Sequence, residues 1–181
     1  MDPGAGVSAA QWLKTVEQKA LKIVLKQYGD ERDAARIARA IVTARNETGI
    51  ETTGQLAEVV ASVIPAHTRK RHPATKTFQA IRIFINDELE QLESTLAQSI
   101  DVFRQGGRLC VISFHSLEDR IVKRFMRDAA KESEQYRGMP EVPAEHRPKL
   151  AVIGKAITAT AEEVAANVRD RSARLRVAER L

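Results

Sequence analysis

The residues best suited to chemistry form one run, Ser113-Phe114-His115-Ser116-Leu117-Glu118-Asp119-Arg120. It follows a short β-branched stretch, Arg108 to Ser113, behind the Gly106-Gly107 turn, and that stretch reads as a buried strand. A helical pattern begins directly afterwards, with Ile121, Val122, Phe125 and Met126 on one face. Open α/β sheets hold their ligands where a strand ends and a polar loop leads into a helix. His115 can donate, accept or change charge near neutrality, and the amides around Ser116 face any anion at the helix start. A plainer reading stands beside this one: Ser116 and Asp119 form a capping box and His115 bonds a neighbouring carbonyl. Serine-hydrolase chemistry fails on the missing Gly-x-Ser-x-Gly elbow.

A second set is polar rather than catalytic. Lys76, Gln79, Arg82 and Asn86 follow one another at steps of three, three and four residues, so they share one helix face. Lys and Arg neutralise phosphate and Gln and Asn read base edges, although an ordinary solvated face has the same pattern. The basic loop just upstream, with Arg69, Lys70 and Arg71, favours RNA. Further cations are Arg120, at the start of the helix after the Ser113 loop, and the cluster Arg169, Arg171, Arg174, Arg176 and Arg180. On a strand Arg174 and Arg176 share a face and make a phosphate track, against the alternative of solvated charges or protection of a sheet edge. Aromatic residues are only 4% of the chain, which argues against a broad stacking platform for single-stranded RNA. Cys110 is the single cysteine, and His67 and His72 have no helical His partner, so Cys₂His₂ and Cys₄ zinc sites are excluded and no metal is expected.

These sets need a scaffold. The chain has 181 residues, of which 43% are apolar, enough for a core without disulfides or metals. Its charge of +5 at pH 7 suits an anionic partner. Residues 1–104 read as helices. Ser8 opens the first, Gly29 ends the second, Asp30 caps the third, and Thr52 or Thr53 starts the fourth. Phe78, Ile81, Ile85, Leu89, Leu92 and Leu96 then recur at steps of three and four, which predicts one amphipathic helix of about six turns. Trp12, Tyr28 and Phe78 are assigned to the core. Residues 105–181 read as α/β, with strands at Arg108–Ser113, Leu150–Lys155 and from Arg174 onward, a Pro-containing surface loop at 133–149, and a short helix capped by Thr160. Three strands are few for an open sheet. No glycine-rich loop joins a buried strand to a helix, so no complete nucleotide-type cofactor site is encoded. No apolar run is long enough to span a membrane and no signal peptide is evident, which predicts a cytoplasmic protein.

Three segments, RHPATKTFQAIRIFINDELEQLE, GGRLCVISFHSLEDRIVKRFMR and RDRSARLRVAERL, resemble the RsmH (MraW) family. These are S-adenosylmethionine-dependent methyltransferases acting on N4 of a cytidine in small-subunit ribosomal RNA. YGDERDAARIARAIV and TTGQLAEVV resemble the family's helical insertion, so the likeness covers nearly the whole chain apart from 133–149. The resemblance implies an incomplete Rossmann-like methyltransferase sheet, class α/β, preceded by an all-helical insertion domain. It also implies that the chain starts at an internal Met-Asp-Pro of the family, with the cofactor loop in the absent amino-terminal half and no cofactor-binding residue here. Ser113, Phe114, His115 and Ser116 would then form the wall near the target base. Lys76, Arg82 and Asn86 would face RNA in the ribosomal subunit. Asp33 and Val168 depart from the usual family residues, an aromatic and part of Asn-Pro-Arg. The chain alone is expected to be inactive, and with sheet edges uncovered it is expected to be poorly soluble or a homodimer. A non-catalytic helical module that binds RNA or a partner remains the alternative.

Overall fold

The computed structural model describes residues 6–64, 72–132, 134–136 and 138–181. Two compact units divide the chain, Met1–Glu88 and Leu89–Leu181. Arg69, Lys70 and Arg71 lie outside the described residues.

The first unit is helical: α1 (Ala9–Thr15), α2 (Gln18–Gly29), α3 (Ala34–Glu47), α4 (Thr53–Val63) and α5 (Thr75–Ile85). Side-chain oxygens at the N-termini fix two of the starts, since Ser8 and Thr52 each form a reciprocal capping box with the Gln three residues on. Leu21, Leu25, Ile37, Ala38, Ile41, Val60, Ala80 and Ile81 make the core, with Trp12, Tyr28 and Phe78 partly buried against it. Asp30 does not cap α3. It closes α2 instead in the left-handed conformation, φ 46°, and α3 starts after Asp33, whose side chain makes no capping bond.

At Gly29, α2 comes close against α5. A Cβ there would lie 2.7 Å from the Lys76 carbonyl oxygen and 3.1 Å from the Ala80 Cβ. Because the first obstacle is backbone, Gly29→Ala is expected to cost about 1–3 kcal/mol by overpacking, despite alanine's better helix propensity. Equilibrium urea unfolding checks it.

The single long helix expected after the basic loop is two helices. α5 stops at Ile85 and α6 runs Glu88–Val102, with Asp87 left-handed at φ 48° between them. The Asn86 amide donates back to the Arg82 carbonyl at 2.8 Å, and this local bond offers the backbone an alternative to helix. The apolar period survives the break, so periodicity alone does not reveal it.

The second unit holds most of α6, then β1 (Arg108–Ser113), α7 (Ser116–Ala129), β2 (Leu150–Thr158), α8 (Ala161–Ala166) and β3 (Arg174–Arg180). The strands form one antiparallel sheet in the order β1-β3-β2. β3 is therefore central, which removes the reading of its arginines as edge protection. Leu96, Leu109, Val122, Met126, Leu150 and Ala178 form the core. Leu109 and Ser113 of β1 are buried while Cys110 and Ile112 are exposed, so the strand is buried on one face only. On the other face two cross-strand rows, Cys110-Val177-Ile153 and Ile112-Leu175-Ile157, are apolar from edge to edge. Ile112 and Ile157 there are 59% and 60% exposed.

Candidate functional site

β1 ends at Ser113, Phe114 and His115 form the turn, and Ser116 is the first residue of α7. The four residues expected to form the wall are contiguous at that junction. The cap differs from expectation by one position. His115, not Ser116, is the N-cap, and its reciprocal partner is Glu118, not Asp119. The Glu118 amide donates to His115 Nδ1 at 3.3 Å, which makes the neutral imidazole the tautomer with its proton on Nε2. Nε2 lies 3.2 Å from Glu118 Oε1, off the geometry of a hydrogen bond. Glu118 Oε2 accepts from two consecutive amides, Phe114 at 2.8 Å and His115 at 3.2 Å. Burial pushes the Glu118 carboxyl up, but the His115 side chain facing it and the hydrogen bonds from the Phe114 and His115 amides outweigh that and hold the group below its ordinary value.

The one-residue shift frees Asp119 to turn inward. Its carboxylate accepts from Arg176 Nε at 2.7 Å and Nη2 at 3.2 Å, and from Arg174 Nη1 at 3.2 Å. The Arg176 hydrogen bond is the main reason its acidity is raised, opposed by burial and assisted by the charges of both arginines. Arg176 is 17% exposed and serves structure, whereas Arg174 is 54% exposed and keeps donors for another anion. Ser113 pairs with Arg174 in the sheet, and its hydroxyl donates to the Arg174 carbonyl at 3.4 Å. Arg120 and Arg171 are exposed, one on α7 and one on the 3₁₀ turn Val168–Ser172. Sequence places Glu118 and Asp119 in the run suited to chemistry but gives Asp119 only a capping role and Glu118 none. The capping-box spacing was visible there, but His is not one of the usual caps and the motif settled one residue late.

The stripe on α5 is present but committed internally. Lys76 Nζ donates to the Asp30 carbonyl at 2.8 Å and Gln79 Nε2 to the Tyr28 carbonyl at 3.5 Å, satisfying the end of α2. Arg82 pairs with Glu88 at 2.9 Å, and Asn86 also reaches Glu88. Beside Arg82 and Asn86 opens an apolar cleft of about 320 Å³ between Leu13, Ile50, Phe78 and Ile85.

No strand-to-helix turn among the described residues carries a phosphate-cradling glycine loop. Both acidic groups at the β1–α7 junction are already bonded, one to amides and one to arginines. At this junction neither carboxylate stands as an unbonded acceptor for the ribose hydroxyls of S-adenosylmethionine. Among the described residues no group of three or more His, Cys, Asp or Glu side chains is placed to hold a metal, and no helix is long and apolar enough to cross a membrane.

Comparison with known proteins adds what geometry leaves open. The model of the MraW methylase family matches residues 1–181. Ribosomal RNA small subunit methyltransferase H of Stenotrophomonas maltophilia is 53% identical over 99% of this chain and 56% of its own length. The proteins of the same name from Nitrosococcus oceani and Thiobacillus denitrificans are 52% and 50% identical, and 58% of each is covered. The chain thus spans a little over half the length of these relatives.

Proposed function

From membership of the MraW methylase family, to which this chain belongs, we propose that it is the RNA-facing part of a methyltransferase that transfers a methyl group from S-adenosylmethionine to N4 of a cytidine in small-subunit ribosomal RNA. The observation that carries this reading is the family match along the whole chain, with relatives near 50% identity that bear the name of a ribosomal RNA methyltransferase. The helix-and-strand architecture with a small antiparallel sheet suits an α/β methyltransferase, with the first unit as its helical insertion and the second as part of a Rossmann-like sheet.

In this reading the cofactor site belongs to the part of the enzyme that this chain does not cover. S-adenosylmethionine supplies an electrophilic methyl group when bound. The residues present bind and orient RNA. Ser113, Phe114, His115 and Ser116 wall the target base, held as one turn by Glu118. Arg174, Arg120 and Arg171 take backbone phosphates, because each is exposed; separately, on the helical unit, the exposed Lys76 and Arg82 would exchange their internal partners for phosphate while Gln79 and Asn86 meet base edges, with the basic loop Arg69, Lys70 and Arg71 upstream in sequence. The enzyme works without a metal and in the cytoplasm.

Calorimetric titration tests the division of labour. S-adenosylmethionine is expected to bind the chain extended to the length of its relatives and not the 181 residues alone. Tight binding by the 181 residues would overturn it. A helical RNA-binding module is the outcome if neither protein binds the cofactor.

In a pure preparation of this chain, another copy is the available cover for the apolar rows on the bare sheet face, so a homodimer or aggregate is expected. Sedimentation velocity should show association that Ile112→Lys with Ile157→Lys abolishes. A monodisperse monomer before substitution would contradict this.

A further inference from the structure

Phe114 is out of keeping with the rest of the chain. Of the eight Phe, Trp and Tyr side chains, seven are at least partly buried and Phe114 alone is exposed, at 53%. An isolated exposed aromatic is ordinary where the backbone beneath it is loose. Here it is held. A capping box requires the third helical residue to accept from the N-cap amide, which Glu118 does for His115 at 3.2 Å. The same oxygen makes a second and shorter bond, 2.8 Å, to the amide of Phe114, a residue outside the helix that α7 does not need to satisfy. The imidazole of His115, bonded to the Glu118 amide and facing its carboxylate, fixes the turn from the other side.

We propose that Glu118 is a positioning residue for Phe114, holding the turn so that the ring stands in water as a one-residue platform on which the unpaired target base stacks. Every base has a π-face, and a ring held before the base arrives loses less freedom on binding. The scarcity of aromatics is consistent with this, because a single flipped base needs one platform rather than a track. The inference rests on the reading of Ser113–Ser116 as the wall beside the target base.

The test uses the full-length enzyme and small ribosomal subunits, reading KM for RNA, kcat, cofactor affinity and melting temperature. Phe114→Ala is expected to raise KM about 5- to 100-fold with cofactor affinity unchanged, the range that loss of one base–aromatic stack gives. Phe114→Tyr should restore KM, and Phe114→Leu should not. Glu118→Ala should raise KM as Phe114→Ala does, and the double variant should be little worse than either. Glu118→Gln keeps an acceptor oxygen for the amides, should recover part of the loss, and covers the case in which the alanine variant folds poorly. A normal KM for Glu118→Ala beside a raised one for Phe114→Ala would overturn the positioning role and leave the wall reading intact. Full activity of Phe114→Leu would overturn stacking. Unchanged KM for Phe114→Ala would overturn the wall reading and this inference with it.

Discussion

Asp119→Ala is expected to destabilise the second unit by about 3–5 kcal/mol, the usual cost of removing one partner from a buried ion pair. The carboxylate is 12% exposed and bonds both arginines, and Arg176 is nearly as buried. Among the described residues Asp119 is the carboxylate that pairs with the Arg176 guanidinium, and its removal leaves that charge uncompensated. Arg174, half in water, loses much less. Asp119→Asn keeps the volume and some of the hydrogen bonding, and should fall between the two. The pair also gives stability a direction in pH. Its folded pKa lies below the 3.8 of the free group, so its contribution is complete well above that value and is lost as pH falls through the lowered one. Wild type should therefore weaken more steeply than Asp119→Asn on acidification below about pH 4. Urea midpoints at several pH values measure both effects, and parallel curves for the two proteins would refute the assignment.

Leu25→Ala is expected to cost about 2–5 kcal/mol in the helical unit. Leu25 is fully buried on α2, the helix that packs on both α3 and α5. Complete burial within that core places the effect toward the upper end. Against a total of about 0.05–0.15 kcal/mol per residue, that is a large share of the stability of a unit of this size. Ile23, exposed on the same helix, is the internal comparison: Ile23→Ala should change stability by about 0.5 kcal/mol or less.

Much of the architecture was legible because it is local. The buried stripes of α2 and α3, the Thr52 and Thr160 caps and the three strand positions follow from period and capping chemistry, which nearby residues determine. Four features were not legible, each for a physical reason. The break at Asn86-Asp87 leaves the apolar period intact, so only the left-handed backbone reveals it. The pairing of β3 between β1 and β2 is set by contacts far apart in sequence, and Arg174 and Arg176 could not be assigned to a central strand without it. At the candidate site, Ser116 and Asp119 carried the familiar motif, but His115 and Glu118 took the cap. The bond from Glu118 to the Phe114 amide and the turn of Asp119 toward the arginines then followed from a shift of one residue. The polar stripe on α5 was placed on one face as expected, but its donors meet carbonyls of α2 and the Glu88 carboxylate, partners that spacing cannot disclose.

Under the proposed function this chain supplies the RNA side of a ribosomal RNA methyltransferase. The most direct test is transfer of labelled methyl from S-adenosylmethionine to unmethylated small ribosomal subunits, with the modified nucleoside identified by mass spectrometry. The full-length protein is predicted to yield N4-methylated cytidine at one position, and the 181 residues alone to yield none. Methylation at another atom, or none by the full-length protein, would contradict the proposed function.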